Sequence, residues 1–343
     1  MLEQFDRKSR DFFVSVSFYF YQDIRHYHFT SSKQHANCSN ERIFFPDSSC
    51  VKACSSCESQ SSPIEMNVAR NTDELKRALT DAPRPCVLVP TMGAFHPGHI
   101  SLMREARKIA GTKGTVVVSI FVNPIQFDRA SDLDAYPRPI TSDLATCEAS
   151  EVDIAFVPAA DAMYFPDRSV TVTENLLSHN LCGASRPGHF DGVCTVVLKL
   201  FLLTGCDVSL FGEKDFQQLA IIRRMVRDLD VPVKIIPCPT VREPDGLAMS
   251  SRNTRLRADQ RADAPRIRHA LLAASDFTSA EEMITSARSH ITASSLARID
   301  YLSLVDAETL QPVASLDRPS ILAAAVFYDE VRLIDHLTIP AKS

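Results

Sequence analysis

The 343-residue chain lacks two features that commonly identify membrane proteins and nucleic-acid-binding proteins. No apolar stretch approaches the roughly 20 residues that span a bilayer, so the sequence does not predict an integral membrane protein. No run of basic residues is interleaved with aromatics, and 37 lysines and arginines stand against 42 aspartates and glutamates, a net charge of −5. We therefore expect neither a membrane nor a nucleic acid as the principal partner.

The ten cysteines lack the spacing of a structural zinc site. Cys54 and Cys57 form one CxxC, but no second CxxC or HxxxH lies at zinc-finger distance. Six other cysteines lie in apolar segments, as expected of small buried thiols: Cys86, Cys147, Cys182, Cys194, Cys206 and Cys238. This usage favours a reducing compartment, and we expect a cytoplasmic protein.

Three regions are predicted along the chain. Residues 1–65 show no sustained helical period, and we interpret them as a poorly ordered extension or as upstream codons translated from a wrongly chosen start. Residues 66–240 alternate strand-like runs (86–89, 115–122, 153–157, 208–211 and 233–236) with helix-like runs (98–110, 142–150, 193–203 and 215–229). This pattern predicts an α/β domain with a parallel sheet covered on both faces. Residues 241–343 predict a smaller α+β domain that ends in two strands, 321–328 and 331–334.

Residues 91–99, which read TMGAFHPGH, join a strand-like run to a helical pattern. Gly93 and Gly98 permit positive φ and close backbone approach. The helix that follows presents free N–H groups and the positive end of its dipole to whatever lies over the turn. With His96 and His99 as additional donors, the segment predicts a phosphate site beyond the carboxyl end of a strand.

Four other polar segments occur at predicted strand ends or in loops: FVNPIQF (121–127), SRPGHFDGV (185–193), FGEKDFQQ (211–218) and DGLAMSSRN (245–253). The amides of Asn123 and Gln126 can bind hydroxyls or a carboxylate without adding charge, although Asn123 can equally serve only to shape its turn. Lys214 lies where a strand passes through glycine to a helix, a position suited to phosphate oxygens. With the histidines, one arginine and two serines, these donors suit a polyphosphate, and none is an evident covalent nucleophile.

The ordered motifs VPTMGAFHPGH, FVNPIQF, YPR, SRPGHFDGV, GEKDFQQL and DGLAMSSRN resemble those of the pantothenate synthetases, the pantoate:β-alanine ligases. The resemblance runs from about Met66 to the C-terminus. HxGH alone would indicate only the wider nucleotidyltransferase superfamily, whereas the full set in this order is highly specific.

The resemblance implies a Rossmann-like domain, a C-terminal lid domain, a homodimer, and ATP with Mg²⁺ as co-substrate, without a tightly bound organic cofactor. The implied reaction is the ATP-dependent condensation of pantoate with β-alanine through a pantoyl adenylate, giving pantothenate, AMP and pyrophosphate. By motif position, the ATP phosphates and their transition state would be contacted by His96, His99, Lys214, Ser250, Ser251 and Arg252. The ATP site would also include Met92, Gly93, Gly212 and Asp215. Pantoate would be held by Gln126 and Gln218, with Asn123 beside them, near the phosphates or the incoming amine.

The chain departs from the family pattern at three places. Where relatives often carry consecutive acidic residues after YPR, this sequence has Thr141-Ser142-Asp143, which leaves Asp143 as the candidate protein ligand for Mg²⁺. Phe165 is inserted into the usual MYP motif, so that loop is expected to be reshaped. Pro97 lies between the histidines, where a helix start tolerates proline.

Two alternative functions are open to a chain with HxGH. Another adenylyl- or cytidylyltransferase of the superfamily would not be expected to carry both glutamine motifs together with SSRN. A catalytically inactive nucleotide-binding homologue would tend to have lost a phosphate-binding side chain, and none is missing here.

Overall fold

Six strands form one parallel sheet in the first part of the described chain. The computed structural model describes residues 66–341. The strands are β1 (Asn67–Ala69), β2 (Cys86–Thr91), β3 (Thr115–Ile120), β4 (Ile154–Phe156), β5 (Val208–Gly212) and β6 (Lys234–Cys238). They pair in the order β1, β4, β3, β2, β5, β6, and every pairing is parallel.

Helices cover both faces of this sheet. They are α1 (Thr72–Leu79), α2 (Pro97–Ala110), α3 (Ala130–Asp134), α4 (Ile140–Ala149), α5 (Ala160–Met163), α6 (Leu181–Ser185), α7 (His189–Thr204) and α8 (Phe216–Asp228). Successive residues of β2 point to opposite faces: Leu88 joins a core with α7 and α8, whereas Val87 and Val89 join a second core with α2. Because both faces are covered, the central strands are almost wholly apolar.

The C-terminal part packs three helices against an antiparallel sheet. Its elements are α9 (Ala258–Asp263), α10 (Arg266–Ala274), α11 (Ala280–Thr292), β7 (Arg298–Asp306), β8 (Ser320–Tyr328) and β9 (Val331–Ile339). The sheet order is β7, β8, β9. On β8, Leu322 and Ala324 face the core formed with α10 and α11, while Ile321 and Ala323 face the core that contains α7 and α8. This small sheet therefore connects the two parts of the described chain through packed side chains.

The predicted parallel sheet and smaller α+β part are confirmed, with one correction. Two terminal strands are predicted, but the small sheet has three, because β7 pairs along its length with β8. The six scattered cysteines are buried free thiols, as predicted. Within the described residues, no helix has the length and apolar character needed to cross a membrane. The expectations for residues 1–65, with the Cys54/Cys57 pair, lie outside the described residues, and the domain boundary at 240/241 stays a prediction.

Candidate active site

Three neighbouring strands deliver the predicted site to one edge of the parallel sheet. β2 lies between β3 and β5, and all three run in the same direction. The glycine turn follows β2, the Asn123–Gln126 segment follows β3, and the Lys214 segment follows β5. Ligands of open α/β sheets bind beyond such carboxyl ends, so the topology brings together segments that are far apart in sequence.

The glycine turn is shaped by Asp143. Gly93 has a φ of 79° and Ala94 a φ of 52°, so the chain turns through the left-handed region. Beneath it, the Asp143 carboxylate accepts from the backbone N–H of Ala94 at 2.8 Å and from that of Phe95 at 3.0 Å. A Cβ on Gly93 would lie 2.7 Å from Asp143 Oδ2. Glycine is therefore required for the carboxylate to pack this closely.

This arrangement does not fit a magnesium ion held by the protein's own side chains. Asp143 is 2% exposed, and both carboxylate oxygens already accept from the backbone. Among residues 66–341, no three His, Cys, Asp or Glu side chains converge as a metal site. Asp143 stays a predicted ligand, and the role that the geometry gives it is to shape the turn.

Backbone N–H groups orient the two histidine rings at the start of α2. His96 is the N-cap and its Nδ1 accepts from the backbone N–H of Gly98 at 3.1 Å, while His99 Nδ1 accepts from the backbone N–H of His96 at 3.3 Å. Pro97 is the first residue of the helix, as predicted. These contacts use the Nδ1 lone pair of each ring, so in the neutral tautomer each ring carries its proton on Nε2.

Both imidazoles are neutral at physiological pH. Burial, together with the charge of Lys214, lowers the pKa of His96 to about 4. Burial, with the charges of His96 and Lys214, lowers the pKa of His99 to about 3. The ring centroids are 4.1 Å apart, and at this distance two imidazolium ions would repel each other. The pair thus presents two oriented neutral N–H donors rather than two positive charges.

Asn123 positions Gln126. The Asn123 side-chain amide donates to Gln126 Oε1 and to the backbone carbonyl of Gly192, each at 3.0 Å, and its oxygen accepts from Tyr164 Oη at 2.9 Å. Gln126 Nε2 also contacts Met92 Sδ at 2.9 Å. A glutamine amide has two donor hydrogens and two acceptor lone pairs, so Gln126 keeps one of each for a ligand.

The segment around His189 supports Gln126 from below, a role that its sequence did not reveal. A Cβ on Gly192 would lie 2.6 Å from Gln126 Cα, so α7 approaches this loop as closely as glycine permits. His189 Nδ1 donates to the Gln126 carbonyl at 2.8 Å, because that oxygen can only accept. Its Nε2 therefore accepts from Arg186 at 3.2 Å, and burial, with the charge of Arg186, lowers the pKa of His189 to about 4.

The two adjacent glutamines after β5 have different roles. Gln217 is buried, and its amide donates to the carbonyls of Leu177 at 2.8 Å and Asn180 at 2.7 Å. Gln218 instead lines the cavity at the sheet edge, together with Lys214. The prediction that Gln218 contacts pantoate is consistent with this placement.

The opposite wall is the loop that follows β6. Within this loop, Gly246 has a φ of 91°. The guanidinium of Arg242 donates to the Gly246 carbonyl at 3.0 Å and to the buried carboxylate of Asp335 at 2.7 and 2.9 Å. A short 3₁₀ turn, Ser251–Arg255, follows, and Ser250 Oγ accepts from the backbone N–H of Arg252 at 3.3 Å. The loop base is thus tied to β9.

The two walls enclose a cavity of about 250 Å³. Its wall includes most of the predicted site residues: Met92, His96, His99, Asn123, Gln126, Gly212, Lys214, Asp215, Gln218, Ser250, Ser251 and Arg252. Gly93 and Asp143 are not part of that wall, because Gly93 lies within the turn and Asp143 beneath it. The cavity wall also includes Tyr136, Arg186 and His189, which the motifs YPR and SRPGHFDGV contain but which the sequence did not assign.

Comparison with known proteins identifies the family. The family model described as pantoate-beta-alanine ligase matches residues 67–338. The chain belongs to the pantoate-β-alanine ligase family. It is 54% identical over 257 residues to a pantothenate synthetase of Akkermansia muciniphila, covering 74% of this chain and 92% of that protein. It is 47% identical over 283 residues to a pantothenate synthetase of Chelativorans, covering 80% of this chain and 99% of that protein.

Solved structures of pantoate-β-alanine ligases share the fold. The pantothenate synthetase of Thermus thermophilus superposes with a TM-score of 0.75 at 40% identity, covering 79% of this chain and 99% of that one. The pantoate-beta-alanine ligase of Francisella tularensis, solved with beta-gamma ATP and beta-alanine, gives a TM-score of 0.67 at 34% identity, covering 79% of this chain and 97% of that one.

Proposed function

We propose that this chain joins pantoate to β-alanine at the expense of ATP, through a pantoyl adenylate. The observation that carries the proposal is the convergence, in one cavity, of two oriented imidazole donors, Lys214 and Arg252 with the neutral amides of Gln126 and Gln218. Cationic and N–H donors suit phosphates, and neutral amides suit the hydroxyls and carboxylate of pantoate.

In the first step, a pantoate carboxylate oxygen attacks the α-phosphorus of ATP, the α–β phosphoanhydride bond breaks, and pyrophosphate leaves. Charge that accumulates on the phosphate oxygens is met by the Nε2–H groups of His96 and His99 and by the ammonium of Lys214. Because these donors are already oriented, they need little reorganisation as the charge develops. Gln126, fixed by Asn123 and Gly192, would hold the attacking pantoate in line.

In the second step, the amine of β-alanine attacks the acyl carbon of the adenylate, the acyl–phosphate bond breaks, and AMP leaves as the nitrogen loses a proton. The described residues that line the 250 Å³ cavity include no cysteine, and Ser250 Oγ is engaged with the backbone of Arg252. This favours a noncovalent adenylate over a pantoyl-enzyme ester.

We propose further that ATP enters as its magnesium complex, with the ion held chiefly by the phosphates as part of the substrate. We also propose a homodimer, as the family resemblance implies, and a cytoplasmic location, since the buried free thiols favour a reducing compartment.

The test is isotope exchange without the second substrate. ATP and pantoate alone should support the exchange of labelled pyrophosphate into ATP, and omission of pantoate should abolish it. Full turnover with β-alanine should yield equal amounts of pantothenate and AMP. An enzyme that makes pantothenate but shows no exchange until β-alanine is added would contradict the adenylate-first order.

A further inference from the structure

A single carboxylate, Asp132, pairs with two arginines of the loop after β6. Asp132 and Arg255 line a second cavity, of about 470 Å³, and Arg252 lines both this cavity and the 250 Å³ one. Asp132 lies on α3, whereas Arg252 and Arg255 lie in the 3₁₀ turn of the loop after β6. Arg252 Nη2 donates to Asp132 Oδ2 at 3.4 Å, and Arg255 Nη1 donates to Asp132 Oδ1 at 3.4 Å. Each carboxylate oxygen therefore has its own guanidinium partner across the cleft.

A second feature brings the same two segments together. Tyr136, two residues beyond the end of α3, is largely buried and lines the 250 Å³ cavity together with Ser251. Phe127 packs edge-on against the Tyr136 ring at 5.9 Å between centroids. This packing holds the end of α3 beside the cavity that Ser251 and Arg252 also line.

The ion pairs of Asp132 can be displaced by a more highly charged anion. The side chains of Arg252, Arg255 and Asp132 are 27%, 35% and 26% exposed, and both N···O distances are long. Partly exposed pairs of this kind contribute little individually. A polyphosphate carries several negative charges and more acceptor oxygens, so it can take over the same guanidinium groups.

Neighbouring charges already have other partners. Asp128 pairs with Arg186 at 3.1 Å, and Asp215 lies 3.7 Å from Lys214. Asp132 forms an ion pair with Arg252, the predicted phosphate-binding arginine, whereas Asp215 interacts with Arg252 only through its charge. A phosphate bound to Arg252 would place negative charge beside the carboxylate, and this repulsion opposes binding.

We propose that the Asp132 carboxylate competes with bound phosphate for Arg252 and Arg255. It pairs with both guanidinium groups before ATP binds, the ATP phosphates displace it, and the ion pairs form again as pyrophosphate leaves. The proposal rests on the proposed function, since it requires Arg252 to contact phosphate. It assigns Asp132 to ligand release rather than to bond formation, and adds Arg255 to the residues that contact phosphate.

Asp132→Asn, which keeps the shape of the side chain and removes its charge, tests the proposal. The matched control is Asp134→Asn, on the same helix with the same change of charge at an exposed position. Calorimetric titration with pyrophosphate, and separately with ATP, measures binding without requiring turnover. We expect Asp132→Asn to lower the Kd for pyrophosphate by about threefold to tenfold, the scale of two displaced ion pairs, and the control to stay within about twofold.

A second readout separates release from a general gain in affinity. Pyrophosphate should become a correspondingly stronger product inhibitor of Asp132→Asn in the full reaction. Asp132→Ser, which also removes the charge, should shift the Kd in the same direction and covers the case in which asparagine alters the helix.

An unchanged or higher Kd in both Asp132 variants, with wild-type binding and turnover intact, would overturn this proposal and leave the proposed function standing. A wild-type protein that bound neither ATP nor pyrophosphate would overturn both. A gain of equal size in Asp134→Asn would show only a long-range effect of net charge and would also overturn the assignment to Asp132.

Discussion

The contacts that hold the site residues differ between the sheet edge of the cavity and the facing loop. On the sheet edge, His96 and His99 accept from backbone N–H groups at 3.1 and 3.3 Å, and Gln126 accepts from Asn123 at 3.0 Å. On the loop, Arg252 is held by one partly exposed carboxylate at 3.4 Å. The first set of contacts is local or buried. The second crosses the cleft and is open to water and to competing anions.

This difference suggests that the two walls have different roles in catalysis and in binding. Donors whose orientation is fixed before the ligand arrives are suited to charge that develops in the transition state. Side chains held by weak, exchangeable ion pairs are suited to binding and release. Changes to the histidines and Lys214 on the sheet edge should therefore affect turnover most, and changes to Arg252 on the loop should affect the affinity for phosphate-bearing ligands.

The largest effect is expected from Lys214→Ala and His99→Ala. Each removes one preorganised donor from the sheet edge, so kcat should fall by about a hundredfold or more in either variant. Steady-state assays of pantothenate formation measure the loss, with Lys234→Ala, an exposed lysine on β6, as the control. Melting curves should show that all three variants remain folded. A folded Lys214→Ala enzyme with turnover near wild type would make Lys214 a surface charge only and would remove the distinction between the walls.

A smaller effect concerns the pH dependence of stability and the buried His189, which supports the sheet edge. His189 has its pKa lowered from 6.5 to about 4, so below pH 6.5 the unfolded chain binds a proton that the folded protein does not. Its contribution to stability is therefore present above pH 6.5 and is lost as the pH falls towards 4.

His189→Gln keeps one donor and one acceptor but cannot titrate. On going from pH 7 to pH 5, the free energy of unfolding should fall by about 1 to 2 kcal/mol less in this variant than in the wild type. Urea unfolding at the two pH values provides the comparison. Equal losses in the two proteins would mean that His189 is protonated without penalty and is not a rigid support.

The sequence predicts the sheet edge well because its signals are local. Pro97 at a helix start, glycine at a left-handed turn and apolar strands beside them are each decided by a few adjacent residues. Local motifs of this kind single out His96, His99 and Gln126 as candidate site residues, and all three line the cavity. The three-stranded C-terminal sheet is predicted incompletely, because β7 alternates charged and apolar residues at its start and lacks the continuous apolar run of the central strands.

Contacts between distant segments could not be predicted in this way. Nothing near Gly192 in sequence indicates that its missing Cβ makes room for Gln126. The residue type of Asp143 does not reveal that its carboxylate accepts from two backbone N–H groups beneath the turn. The pairing of Asp132 with Arg252 joins residues 120 positions apart. These relationships depend on which strand ends become neighbours, and that is a property of the topology.

Steady-state kinetics of Gln126→Ala and Arg252→Ala most directly test whether the amide on the sheet edge and the guanidinium on the loop serve different substrates. Loss of the amide should raise the KM for pantoate by about tenfold, the scale of one neutral hydrogen bond in a buried site, and change the KM for ATP by less than about twofold. Loss of the guanidinium should raise the KM for ATP by about tenfold or more and leave the KM for pantoate nearly unchanged. If either variant raised both constants equally, Gln126 and Arg252 would not contact separate substrates, contrary to the arrangement proposed here.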